Sequence, residues 1–265
     1  MNNIIGLYRR RMMMSALGSG IDVAALSITY TGAHTDYGMV TMSDGARYRL
    51  LAFTSSGTLS IEQPVNCEVC VVGGGANGTK AASSGGGAGG AGAYLKSQSV
   101  SAYNGGSVVV GARQGVSSIA GVSVNAVSGK NGGTGAGGKT GGTGDGMSKY
   151  PFEDTGYSLW AGKPHCAGGG QGAQESSPGY GYSGGNGGTN GGNGYPRGSN
   201  QVSNPSGGVG GSYGGGAGGG NTSPKGGNAT YYGSGGGGGG HYTSGGGRGG
   251  SGYQGIVYIR IPAIQ

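Results

Sequence analysis

Glycine, cysteine, serine and histidine each occur in this chain at spacings that chemistry uses. Gly73-x-Gly75-x-x-Gly78 follows an apolar run, as a dinucleotide fingerprint does when its glycines let the backbone approach a pyrophosphate. That fingerprint needs a helix next, because the helix N-terminal amides hold the phosphates. Thr79-Lys80-Ala81-Ala82 runs instead into more glycine, and no Asp or Glu lies between Val69 and Gly144 to hold a ribose. With 74 glycines in 265 residues, three specified glycines coincide at roughly one position in fifty, so composition alone accounts for the match. Gly181-x-Ser183-x-Gly185 has the outline of a nucleophile elbow and meets the same objection. His34, His165 and His241 have no sequence partner that marks a triad. The reading is of a protein that is not an enzyme, with no catalytic residue and no cofactor.

Cys67 and Cys70 form a C-x-x-C inside an apolar run, Cys67 to Val72, that reads as a strand. Three residues along a strand span about 10 Å and place the two side chains on opposite faces. That separation exceeds the reach of a disulfide and makes a shared zinc unworkable. Both are read as small core residues and Cys166 as a buried or semi-buried thiol. No metal site is expected from three cysteines lacking a second C-x-x-C.

The elements that would position any site divide into strands and glycine. Apolar or β-branched runs at Ile21 to Tyr30, Tyr48 to Phe53, Thr58 to Ile61, Ser107 to Val110 and Gly121 to Val127 read as strands. Gly255 to Ile261 is the clearest of all, and its simplest partners are the early strands, which makes the glycine region one long insertion. Most of the glycine lies between Gly85 and Gly252. Glycine loses more backbone entropy on folding than any other residue, so such a tract is either disordered or held where only glycine fits. Its triplets favour order: GGT-GAG-GKT-GGT-GDG from Gly132, GGN-GGT-NGG-NG from Gly184 and GGV-GGS-YGG from Gly207. Extended backbone with three residues per turn and no internal hydrogen bonds is the polyproline II geometry. Buried, it must bond laterally, which excludes a Cβ from inward positions and admits side chains at outward ones. With only 8 prolines and a slipping register, collagen does not fit. The expected fold is mainly β plus irregular: a β-strand frame enclosing a bundle of polyglycine-II helices, with essentially no α-helix.

Several segments occur together in a familiar order: FTSSGTLSI (Phe53 to Ile61), CEVCVVGGGANG (Cys67 to Gly78), SSGGGAGGAGAYL (Ser83 to Leu95), SVVVGARQG (Ser107 to Gly115), SSIAGVSV (Ser117 to Val124) and SGYQGIVYIRI (Ser251 to Ile261). In that order they resemble the glycine-rich domain of phage and prophage tail-fibre and appendage proteins, over roughly residues 48 to 261. The alternation of glycine segments with aromatic loops is also similar to the distal adhesin of some T-even-like phages. The resemblance implies a strand frame around polyglycine-II helices and a role in virion structure or host-receptor binding. The corresponding division is residues 1–47 as an N-terminal attachment or oligomerisation segment with short strands, and 48–265 as the glycine-rich domain. Within the latter, strands over 48–127 and 253–262 frame glycine helices over 83–93 and 131–252.

Tyrosine numbers 17 against 2 Phe and 1 Trp, and many tyrosines fall where the glycine runs break. Tyr, Ser, Gly and Asn on rigidly held loops is the composition of antibody paratopes, and aromatic faces also stack on sugar rings. The expected receptor-contact residues are Tyr150, Phe152, Tyr157, Trp160, Tyr180, Tyr182, Tyr195, Tyr231, Tyr232 and Tyr242, with the Trp160 loop foremost. The alternative role for each is to cap the glycine lattice through its hydroxyl. Arg9-Arg10-Arg11 is the only dense basic cluster and is assigned to attachment, to a partner protein or an oligomer axis.

Net charge is +7, from 16 Lys and Arg against 9 Asp and Glu, so the surface is mostly neutral. Arg248-Gly-Gly is a lone RGG element, too little for RNA binding, and nucleic acid is not an expected partner. The apolar stretch after Arg11 is too short for a signal peptide and nothing reaches the length of a membrane span. The expected partners are other virion subunits, a bacterial surface receptor of protein or glycan, and further copies of the chain. Assembly in the host cytoplasm and residence on the virion follow from the same resemblance. A purely structural virion component is the alternative; weaker ones are an ice-binding protein, resting on Thr134, Thr140 and Thr143, and an RNA-binding glycine-rich protein.

Overall fold

In a computed structural model of the chain, residues 20–81, 86–123, 125–127, 150–177, 180–182, 202–203, 206–207, 209–210, 214–220, 225–242 and 245–264 are described. Among these residues there is no α-helix, and the main body is an antiparallel β-sheet. Its strands are β1 (Ile28–Tyr30), β2 (His34–Thr41), β3 (Arg47–Phe53), β4 (Gly57–Val72), β5 (Leu95–Val109), β6 (Ser117–Ile119), β7 (Asn125–Ala126) and β13 (Ile256–Pro262). The order across the sheet is β2-β3-β13-β4-β5-β6-β7, with β1 pairing β4. The C-terminal strand therefore lies in the middle, between β3 (Tyr258 opposite Ala52) and β4 (Tyr258 opposite Cys70), as expected for a late strand closing an insertion.

Strands covered on both faces read as near-continuous apolar runs, which is how β4 and β13 read. One face carries Leu51, Phe53, Cys67, Val69, Val71, Val257, Ile259 and Ile261, joined by Val23, Leu26 and Ile119. The other carries Leu50, Ala52, Cys70, Val72, Ile256 and Tyr258, roofed by Phe152, Trp160 and Cys166. Cys67 and Cys70 thus face opposite sides, as the strand period requires. Each buried aliphatic side chain contributes about 1.5–3 kcal/mol, so the sheet is a core in the ordinary sense. Arg260 pairs across strands with Glu68 (2.8 Å), and its guanidinium lies 4.5 Å from the centroids of both Tyr48 and Phe152.

Some strand expectations are corrected. Only Ile28–Tyr30 of the run from Ile21 is a strand. Asp22 accepts the Ala24 amide on its side chain and the Ala25 amide on its carbonyl, which turns the chain before β1. Thr58 to Ile61 and Cys67 to Val72 belong to one long strand, β4, with register shifts against β5 between them. Among the described residues from Gly121 to Val127, only Asn125–Ala126 is paired. β1 and β2 join the same sheet as β3, so the sheet runs across the expected boundary at residue 48. Five further short strands, β8 (Gln174–Ser177), β9 (Tyr180–Tyr182), β10 (Val202–Ser203), β11 (His241–Tyr242) and β12 (Gly245–Gly246), form a second sheet in the order β10-β9-β8-β11-β12.

The stretches 73–81, 86–94, 167–173, 215–220, 226–230, 234–240 and 247–255 belong to no strand, yet their backbones are bonded to one another. Residues 234–240 run through the middle of this network. Gly235 and Gly238 donate to Ala167 and Gly170, Gly236 and Gly239 to Ala76 and Thr79, and Gly237 to Gly227. The carbonyls accept with the same period of three. Gly236 and Gly239 accept from Gly90 and Gly87, Gly235 and Gly238 from Gly216 and Gly219, and Ser234, Gly237 and Gly240 from Tyr253, Gly250 and Gly247. Every other stretch is thereby bonded to this one, and it contains the longest glycine run of the chain, Gly235–Gly240. A Cβ added at Gly235, Gly236, Gly237, Gly238 or Gly239 would overlap the carbonyl oxygen of Gly90, Gly250, Ala217, Gly87 or Gly247 respectively. Outer stretches carry side chains at exposed positions three apart, as at Lys225 and Asn228.

The network grows out of the sheet. β4 continues into 73–81, while 86–94 leads into β5 and 247–255 into β13. In the sheet β4 lies between β5 and β13. Beyond it, Gly73, Ala76 and Thr79 donate to Tyr94, Ala91 and Ala88, and Gly75, Gly78 and Ala81 to Tyr253, Gly250 and Gly247. Neighbours are kept while the period changes from two to three. The laterally bonded network starts at Gly73. The triplets from Gly132 and Gly184, and the threonines 134, 140 and 143, lie outside the described residues.

Gly237→Ala is expected to cost about 3 kcal/mol or more, since backbone on all sides leaves the methyl no relaxation. Ala217→Ser, at an exposed position of an outer stretch, should stay within about 0.5 kcal/mol of wild type. Chemical denaturation of the two variants checks both values.

Candidate functional site

Residues 150–166 cover the second face of the sheet, and their local structure follows from one carboxylate. Asp154 accepts the Ser43 amide (3.0 Å) and hydroxyl, and the amides of Gly156 (3.1 Å) and Tyr157 (3.0 Å). Burial pushes this carboxyl up, but the hydrogen bonds outweigh it and hold it below its ordinary value. Pro151–Glu153 forms a single 3-10 turn, in which Phe152 adopts a positive φ of 56°. The segment is thus pinned to the turn after β2.

Trp160 is 0% exposed. Its indole N–H donates to Asp154 O (2.5 Å), and its ring meets Tyr157 at 4.8 Å and Tyr258 at 5.5 Å. Phe152 is 8% exposed and stacks on Arg260. The assignment of Trp160 and Phe152 to receptor contact is therefore corrected: both are core residues. The apolar second face of the sheet needs a cover, and the largest side chain of the segment supplies it.

Tyr150, Tyr157 and Tyr232 are partly buried against the same cluster. Tyr231 is half-buried beside them, 5.3 Å from Tyr232 and 4.9 Å from His165. Tyr180 and Tyr182 belong to β9 and Tyr242 to β11; Tyr195 and Arg9, Arg10 and Arg11 lie outside the described residues. The structure adds two tyrosines absent from the sequence-based set. Tyr253, 37% exposed, meets Tyr232 at 5.6 Å. Tyr37, in the edge strand β2, is 40% exposed. Tyr231, Tyr232 and Tyr253 thus form a tyrosine flank where the sheet gives way to glycine. Burial raises the phenol pKa of Tyr157 and Tyr232, which keeps both hydroxyls protonated and able to donate. Tyr253 had one available signal: it stands in SGYQG, and bulk between the glycines of such a network must point outward. For Tyr37 there was none, because its exposure follows from the β-bulge between Asp36 and Met39.

Ser183 and Gly185 lie outside the described residues, and the other chemistry-bearing motifs are used structurally. The amides of Gly73, Gly75 and Gly78 donate to Tyr94, Tyr253 and Gly250, so none is directed at a phosphate. Burial pushes the Cys67 and Cys70 thiols up to about 12, far from a nucleophilic thiolate. Cys166 is buried, as expected. Among the described residues no group of three or more His, Cys, Asp or Glu side chains could hold a metal ion. No described helix is long and apolar enough to cross a membrane. No family model, curated protein or solved structure matches this chain.

His165 is fully buried among Tyr231, Tyr232 and Tyr258, with Nε2 3.1 Å from the Tyr258 hydroxyl and Nδ1 unpartnered. Burial away from water lowers its pKa from 6.5 to about 3. The unfolded chain binds a proton at this histidine below pH 6.5, while the folded chain refuses it until about pH 3. This histidine costs no stability above pH 6.5, and stability falls by about 1.4 kcal/mol per unit as pH drops from there toward 3. Asp36 and Asp154, held below their ordinary value of 3.8, add their losses only in stronger acid. Denaturant midpoints measured from pH 7 to 4.5 should show this slope, and His165→Gln should flatten it whatever its effect at neutral pH.

Proposed function

We propose that the glycine stretches are polyglycine-II helices forming a bundle framed by the sheet, and that the chain is a phage or prophage tail-fibre or appendage protein acting as a receptor-binding adhesin. The period-three bonding that carries 73–81 out of β4, with 234–240 at its centre, supports this reading. Its motifs in sequence order, from Phe53 to Ile61 through Ser251 to Ile261, point to the same family. A bundle of this kind needs no hydrophobic core along its length, which suits a thin, stiff appendage exposed to solvent. Contact with a bacterial surface component then falls to side chains standing out from a rigid scaffold, where little entropy is lost on binding. Of the aromatic residues, Tyr150, Tyr157, Tyr180, Tyr182, Tyr195, Tyr231, Tyr232 and Tyr242 remain candidates, joined by Tyr37 and Tyr253. The protein would be assembled in the host cytoplasm and carried on the virion beside other fibre subunits.

A second reading, a structural virion component that recognises no host, is favoured by one observation. The most aromatic segment, 150–162, turns its Phe and Trp into the core rather than outward.

Labelled chain should bind saturably to intact cells of a susceptible bacterial strain and not to isolates selected for resistance. Tyr37→Ser with Tyr232→Phe should weaken that binding about tenfold or more with the fold intact. A folded chain that binds no strain of a broad panel would leave the structural component as the function.

A further inference from the structure

A groove of about 300 Å3 lies beside the tyrosine flank, lined by Ala112, Arg113, Gly252, Tyr253 and Gln254. One wall is the turn between β5 and β6, the other the stretch leading into β13. Both are held firmly. The Tyr253 amide donates to Ser234 and its carbonyl accepts from Gly75, while Tyr232 meets the ring at 5.6 Å with an interplanar angle of 75°. The Gln254 amide nitrogen is tied to Thr54 O (3.1 Å).

The opposite wall is strained. Gln114 has φ 61°, a conformation uncommon outside glycine. It is kept there by its own amide, which donates to Gly75 O (3.0 Å), and by the Asn77 amide nitrogen, which donates to its side-chain oxygen (2.8 Å). Strain of this sort persists where the surroundings over-determine it, and it collects at ligand clamps. Its effect here is to present Arg113 on the adjoining turn position. Arg113 is exposed and donates through Nη1 to Ser251 Oγ (2.8 Å), which orients the guanidinium. No carboxylate among the described residues pairs with it.

We infer that this groove binds an anionic saccharide: a pyranose stacks its C–H face on Tyr253 while its carboxylate or phosphate takes the guanidinium of Arg113. The aromatic ring offers a flat surface with a negative face to polarised C–H groups. A planar guanidinium donates two parallel hydrogen bonds to a carboxylate or phosphate, which a lysine cannot do. Gln254 adds a fixed carboxamide for ring hydroxyls. The volume admits about one substituted ring, at the small end for ligand sites. The inference rests on the groove and holds whether or not the chain is carried on a virion.

The test measures binding of trigalacturonate, the matched neutral galactotriose and glucose 1-phosphate to the full chain by calorimetry and saturation-transfer NMR. Trigalacturonate or the sugar phosphate should bind at least about tenfold more tightly than galactotriose, and whichever is tighter identifies the anionic group. Arg113→Gln should weaken that binding about tenfold or more, and Tyr253→Ser likewise. Tyr253→Phe keeps the ring and should retain binding, which separates stacking from any loss of packing on Tyr232. Failure of both anionic sugars to bind, or binding that neither Arg113→Gln nor Tyr253→Ser changes, would overturn the inference. Saccharide binding without cell adhesion would remove the adhesin reading and leave the groove; adhesion without saccharide binding would do the reverse.

Discussion

Backbone N–H groups bonding to backbone carbonyls of neighbouring stretches, with no Cβ between them, are the interaction on which the glycine half of this molecule depends. Each such bond contributes about 1 kcal/mol net, against a backbone entropy cost that is largest for glycine. The balance closes only if nearly every amide finds an acceptor. Residues 234–240 meet that condition by surrounding themselves with other stretches, which is why every position of Gly235–Gly240 lacks a side chain. Peripheral stretches have solvent on one side, and there Asn77, Lys80, Asn228 and Arg248 are tolerated. Composition is thus graded by position in the network rather than by element type.

Such a network has a nucleation problem, since loop closure must precede any lateral bond. The sheet solves it by holding β5, β4 and β13 in register with conventional apolar packing, then releasing them as 86–94, 73–81 and 247–255 already side by side. The junction is where the two kinds of packing must be reconciled. Tyr231, Tyr232, Tyr253, Tyr258 and His165 pack ring against ring there, and the His165 Nε2 and the Tyr258 hydroxyl meet within the cluster. The proposed binding surface coincides with this structural seam, because the seam is where large aromatic side chains emerge beside the glycine stretches.

Much of the frame was legible in the residues. GIVYIRI announces a strand buried on both faces, and it occupies the sheet centre; the spacing of Cys67 and Cys70 by itself puts them on opposite faces. The run from Ile21 misled because one short polar side chain, Asp22, redirects the chain at a position where apolar pattern alone predicts continuation. Trp160 misled for a different reason. Aromatics in a varied, Pro-containing segment look like a surface loop, and only the sheet's need for a roof, a tertiary matter, turns them inward. Arg113 carried no signal at all, since its presentation depends on Gln114 being clamped by Asn77 and Gly75, residues remote in sequence.

The central claim is that the glycine stretches form a cooperative, laterally bonded body and not a solvated tract, and amide hydrogen exchange addresses it most directly. Resolved at single residues, the amides of Gly235 to Gly239 should exchange as slowly as those of Val257 to Ile261 in β13, through opening of the whole domain. Exchange of those glycine amides at the rate of an unstructured peptide, with β13 still protected, would contradict the account.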